Sequence, residues 1–118
     1  MGKTITSLGL LGYSYGAVIA SNAAAQFQNL KGLALVSPLV KIDRLKIDLS
    51  SNCKKLIIYG LHDGFVAKEI ENLYDSAKGE KQRLSLDTDH FYAGYEGVMA
   101  HAVREFFRKT FQDSIKQN

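Results

Sequence analysis

A single cysteine, Cys53, stands among the 118 residues, so no disulfide can close within the chain, and a reducing, cytoplasmic setting is the expectation. There is one proline, Pro38, and no tryptophan; no Pro-rich linker, low-complexity stretch or internal repeat divides the chain, and its length allows at most one modest core. No apolar run is long enough to cross a bilayer, so no membrane partner is expected. Neither sign of charge dominates: 15 Lys and Arg stand against 12 Asp and Glu, a formal balance of +3. The basic residues are dispersed, with a small excess in Lys41–Lys55 and near the C-terminus, and form no stripe for nucleic acid. Three scattered histidines and one cysteine give no metal-ligand spacing, and neither metal nor cofactor is expected. Lys3 followed by Leu8–Ala20 imitates a signal peptide, but Gly9, Gly12, Tyr13, Ser14 and Gly16 interrupt it. The loose myristoylation pattern over Met1–Thr6 reads better as the start of a buried strand.

What the chain does contain is alternation. Ile5–Leu11 is a short apolar run closed by Gly12, and Tyr15–Leu30 carries Ala17, Ala20, Ala24 and Phe27 at helical spacing. Leu33–Val36 and Leu56–Tyr59 are further apolar runs, stopped by Ser37-Pro38 and by Gly60. Val66–Lys78 has helical period, Arg83–Leu86 reads as a short strand, and Gly94–Ile115 is the clearest amphipathic helix. In that last helix Val98, Ala102, Phe106 and Thr110 form a stripe widened by Val103, Phe107 and Phe111. About four short strands, apolar on both faces and separated by three helices, predict an α/β fold with a parallel sheet covered by helices on both faces.

Three positions in this order carry chemistry. Gly12-Tyr13-Ser14-Tyr15-Gly16 lies where the first strand meets the first helix, the setting that gives G-x-S-x-G its meaning. There a sharp turn would lift the Ser14 hydroxyl above the sheet, and the Tyr15 N–H at the helix start would face a developing oxyanion. Side chains at Gly12 and Gly16 are expected to collide with the neighbouring elements. A glycine-rich strand-to-helix turn of any Rossmann-like protein is the alternative, although the dinucleotide-binding G-x-G-x-x-G spacing is not met. A serine hydroxyl needs a base to remove its proton. Asp63, just after the third strand, and His90, just after the fourth, supply an acid and a base in the order Ser, Asp, His. Singly, Asp63 could cap the following helix and His90 could be a surface histidine. Asp89 is a rival acid made awkward by its adjacency to His90; His62 and His101 read as solvated residues, and Cys53 as a packing residue.

The segments Leu11–Ala17, Leu33–Pro38, Ile57–Val66 and Asp89–Tyr92 resemble the small, lidless α/β-hydrolases, the branch of dienelactone-hydrolase-like proteins and short-chain serine esterases. The resemblance implies that residues 1–118 form a single partial domain, the C-terminal half of that fold from the nucleophile strand to the last helix. It implies hydrolysis of a small-molecule carboxylic ester or thioester, with Ser14 as nucleophile, Asp63 as acid, His90 as base and Tyr15 in the oxyanion hole. It also implies that earlier strands, and the loop that usually supplies a second oxyanion N–H, would precede Met1. The strand at residues 5–11 is then expected to be an apolar edge that pairs with another chain, as a homo-oligomer or with a separately encoded half. A non-catalytic interaction module that works only when complemented is the alternative function. Tyr13, Tyr15, Phe65, Phe91 and Tyr92 are candidates for an acyl pocket or for core packing.

Overall fold

The computed structural model describes residues 8–27, 29–39, 41–42, 44–64 and 69–116. The chain runs β1 (Leu8–Tyr13), α1 (Tyr15–Ala24), β2 (Leu30–Val36), a small hairpin of β3 (Lys41–Ile42) and β4 (Leu45–Lys46), β5 (Lys54–Gly60), α2 (Ile70–Ser76), β6 (Lys81–Leu86) and α3 (Glu96–Lys116). The four longer strands form one parallel sheet in the order β1-β2-β5-β6. Parallel neighbours require crossovers: α1 provides the one from β1 to β2 and α2 the one from β5 to β6, while the connection from β2 to β5 carries the β3–β4 hairpin.

Strand residues alternate between two cores. Leu33, Leu35, Ile57 and Tyr59 pack on one face with Ala17, Ala20 and Ala24 of α1 and Ile70 of α2. Ala34, Val36, Leu56, Ile58 and Leu86 face the other way, onto Phe106 of α3. Leu33, Leu35, Ile57 and Ile58 are wholly buried, and each such side chain contributes roughly 1.5–3 kcal/mol. The sheet is thus covered on both faces. No helix among the described residues is long and apolar enough to cross a membrane.

Several boundaries differ from the sequence reading. The first strand extends through Gly12 to Tyr13, and the part of its expected span before Leu8 lies outside the described residues. Helix α1 stops at Ala24 rather than Leu30, because Leu30 is taken by the sheet, paired with Leu8, and Phe27 is left exposed. Helix α2 begins at Ile70; its expected start at Val66 lies outside the described residues. Val98 is exposed, so the apolar stripe of α3 engages the sheet further along, at Phe106 and Thr110. The β3–β4 hairpin has no counterpart in the sequence reading.

Among the described residues β1 is a sheet edge. Leu11 on it and Ile19 on α1 are more than half exposed.

Candidate active site

The carboxyl ends of β1, β5 and β6 lie at the same edge of the parallel sheet, and each carries one of the three singled-out residues. At the end of β1 the backbone turns sharply: Ser14 has φ 57° and ψ −114°, a conformation that L side chains rarely adopt. Surrounding structure holds it there. The Ser14 N–H donates to the Val36 carbonyl at 2.9 Å, and the Ala17 N–H donates to the Ser14 carbonyl at 3.1 Å. A Cβ on Gly12 would stand 2.3 Å from the Gly16 carbonyl oxygen and 2.6 Å from the Ala17 Cα, so only glycine lets the strand fold back against α1. The expected collision at Gly16 is not found: a Cβ there meets nothing within 4 Å among the described residues.

Beyond β5, Gly60 begins a turn in which the Asp63 N–H donates to the Gly60 carbonyl. Beyond β6 the chain continues beside that turn, accepting from the Leu61 N–H at Leu86 and from the His62 N–H at Thr88, at 2.8 and 3.0 Å. The two loops can lie this close because position 60 has no side chain. A Cβ there would be 2.4 Å from the Thr88 carbonyl oxygen and 2.7 Å from that of Asp89. Sequence reading treats Gly60 only as a strand end. Its second role depends on a loop nearly thirty positions away.

The outcome is a continuous line of hydrogen bonds. Ser14 Oγ lies 2.9 Å from His90 Nε2, and His90 Nδ1 lies 2.6 Å from Asp63 Oδ2. Asp63 is buried at 1% exposure, while the His90 side chain keeps 12%, enough for it to reach a cleft. Such a line can pass the serine proton to the imidazole while the buried carboxylate fixes the tautomer and balances the resulting positive charge. Tyr15 opens α1, and the amides of a first helical turn have no acceptor within their own helix.

The rival residues fall elsewhere. Asp89 Oδ1 accepts the Phe91 N–H at 2.9 Å, a local turn contact. His62 pairs with Asp87 at 2.6 Å on the surface, and His101 is exposed on α3. Cys53 is half-buried just before β5. Among the described residues no group of three or more His, Cys, Asp or Glu side chains is placed to hold a metal ion.

Of the aromatic candidates, Tyr13, Tyr15 and Phe91 border the cleft beside Ser14, whereas Tyr92 is a core residue; Phe65 lies outside the described residues. Tyr92 and Ser37 both have positive φ and meet in the interior, their hydroxyls 2.6 Å apart, so the segment after His90 is anchored to the end of β2. Burial pushes the Tyr92 hydroxyl up to about 12. The Tyr13 hydroxyl donates to the His90 carbonyl at 2.5 Å and closes the elbow against the same loop. Its pKa is also raised, by burial first and then by the charges of Asp63 and Asp89.

No family model matches this sequence, and neither does any curated protein. Solved structures do match. A protein of Xanthomonas campestris pv. campestris assigned to the alpha/beta hydrolase superfamily superposes with a TM-score of 0.77 at 21% identity, over 87% of this chain and 58% of that one. Est1E from Butyrivibrio proteoclasticus gives 0.72 at 16% identity, over 92% and 63%. An α/β serine hydrolase without a lid from Xanthomonas campestris gives 0.57 at 24% identity, over 85% and 48%. The fold is therefore that of the α/β-hydrolases. This chain spans between 48% and 63% of the length of these three structures.

Proposed function

We propose that this chain is a serine hydrolase of small carboxylic esters or thioesters, working through an acyl-enzyme on Ser14. The observation that carries the reading is the Ser14–His90–Asp63 line, with bonds of 2.9 and 2.6 Å, at the end of three different strands. In this reading Ser14 Oγ attacks the substrate carbonyl carbon as its proton passes to His90 Nε2. The tetrahedral oxyanion is met by the Tyr15 N–H, a donor worth roughly 10²–10³ in rate. Collapse expels the alkoxide or thiolate, which takes the proton from His90. Water then enters, His90 removes its proton, and the acid leaves as the proton returns to Ser14. Asp63 stays ionised throughout and keeps His90 Nδ1 protonated and aimed.

The test is hydrolysis of 4-nitrophenyl acetate and of an acetyl thioester. Ser14→Ala is expected to abolish turnover, and His90→Ala to lower it by roughly 10²–10⁴. Turnover by the Ser14→Ala variant at the unsubstituted rate would refute the reading.

Two further assignments go with this one. The free thiol of Cys53 fits a cytoplasmic location. The exposed edge of β1, with Leu11 and Ile19 beside it, suits pairing with a second copy of the chain. Sedimentation over a range of concentrations should then show a dimer that Leu11→Lys converts to monomer; a monomer throughout would contradict it.

A further inference from the structure

The cleft in front of Ser14 has a chemical character that bears on which esters it takes. It is an open groove of about 480 Å³ bordered by Tyr13, Ser14, Tyr15, Leu39, His90 and Phe91. Apart from the two polar members of the hydrogen-bonded line, every described side chain that borders it is aromatic or aliphatic. Tyr15 and Phe91 are 61% and 74% exposed, so their rings are open to a ligand and are not used up in the core. Phe91 stands edge-on to the His90 ring, with centroids 5.6 Å apart, which places a wall directly beside the base.

Two carboxylates stand on the His90 side of this cleft. Asp63 lies behind His90, and Asp89 precedes it. Burial first, and then the charges of Asp63 and Asp89, raise the pKa of the Tyr13 hydroxyl on the cleft wall. Among the described residues that border the cleft, no Lys or Arg offsets those charges.

We propose that this cleft selects neutral, apolar acyl groups, ring-bearing ones included, and rejects acyl groups that carry a carboxylate. A flat apolar group is desolvated against Tyr15, Phe91 and Leu39. A carboxylate in the same place loses water, meets no cation among the described bordering residues, and lies on the side of the two carboxylates Asp63 and Asp89. The inference rests on Ser14 being the nucleophile, and Tyr15 and Phe91 are its specificity-determining walls.

The test pairs two esters of similar size and intrinsic reactivity, 4-nitrophenyl 4-methylbenzoate and 4-nitrophenyl 4-carboxybenzoate. The burst of 4-nitrophenol from Ser14 acylation is read for each and normalised to its rate in hydroxide alone. The methyl ester is expected to acylate at least about 30-fold faster. Phe91→Arg, which puts a cation on an exposed wall, is expected to narrow that ratio by at least about tenfold, and added salt to reverse part of the gain. Labelling of the same samples with a fluorophosphonate separates the two possible failures. Ser14 labelled, with the two esters acylating within about threefold of each other or not at all, overturns the substrate inference alone. Ser14 unlabelled in folded protein overturns the nucleophile assignment and this inference together.

Discussion

Replacing Gly60 by alanine places the smallest possible side chain at the point where the loops carrying Asp63 and His90 touch. The new Cβ would stand 2.4 Å from the Thr88 carbonyl oxygen and 2.7 Å from that of Asp89. Ordinary contact between such atoms is above about 3.2 Å, so the second loop must retreat by roughly 1 Å. Both obstacles are backbone, and they precede His90 by one and two positions, so the imidazole moves with them. The bonds at stake are the 2.9 Å contact to Ser14 and the 2.6 Å contact to Asp63. A misplacement of about 1 Å in such a constellation costs on the order of 10²-fold in rate. The forced shift should also destabilise the fold by roughly 1–3 kcal/mol. Ester hydrolysis measured beside a urea titration separates the two effects. Gly60→Ala is expected to lose on the order of 10²-fold in kcat while still unfolding cooperatively. A variant with unchanged kcat and an unchanged urea midpoint would show that the two loops are not braced at position 60. Gly16→Ala provides the contrast, since a Cβ there meets nothing within 4 Å among the described residues. It lies inside α1 and is expected to gain up to about 1 kcal/mol from helix propensity in the same titration.

Three more outcomes follow from the geometry. Asp63→Asn keeps the shape but removes the charge that, in the proposed mechanism, fixes the His90 tautomer, and kcat for ester hydrolysis should fall by roughly 10³–10⁴, with a smaller change in KM. Tyr92 is raised to about 12 from 10.0 by burial, so between those pH values the unfolded chain has released a proton that the folded chain keeps. Stability should therefore be unaffected by this group below pH 10 and fall by up to about 3 kcal/mol as the pH rises to 12. In urea melts Tyr92→Phe should lose that dependence, at a cost of about 1 kcal/mol at neutral pH from the Ser37 hydroxyl left alone; a retained alkaline slope would contradict the assignment. Lys55 is fully buried, and its ammonium donates to the carbonyls of Ser51, Cys53 and Lys78, tying the chain before β5 to the end of α2. Lys55→Met leaves those acceptors unmatched and should lower the urea midpoint by the equivalent of about 2–4 kcal/mol; an unchanged midpoint would refute the role.

The sheet was legible in the sequence because β2 and β5 are buried on both faces and so read as continuous apolar runs. The placement of Ser14, Asp63 and His90 after three strand ends was legible for a related reason, since each of those strands ends where the composition changes. Errors arose where a local pattern competed with pairing. Helical spacing continues past Ala24 to Leu30, yet the sheet claims Leu30, and nothing in the spacing records that competition. The two-residue strands of the hairpin are too short to show any alternation. The braces of the site were hidden for a different reason. Gly60 against Thr88, Ser37 against Tyr92 and Tyr13 against the His90 carbonyl join positions from about thirty to nearly eighty residues apart. Such contacts are properties of the folded loops, and periodicity carries no trace of them. The positive φ at Ser37 and Tyr92 has no signature in residue type either, since neither is glycine or asparagine.

In the proposed function, Ser14 is a nucleophile activated by His90. A fluorophosphonate probe, followed by peptide mapping of the adduct, tests it most directly. One adduct is expected, on Ser14, absent from Ser14→Ala and from heat-unfolded protein, and formed at least about 100-fold more slowly in His90→Ala. Folded protein that stays unlabelled, or that reacts equally fast without His90, would contradict it.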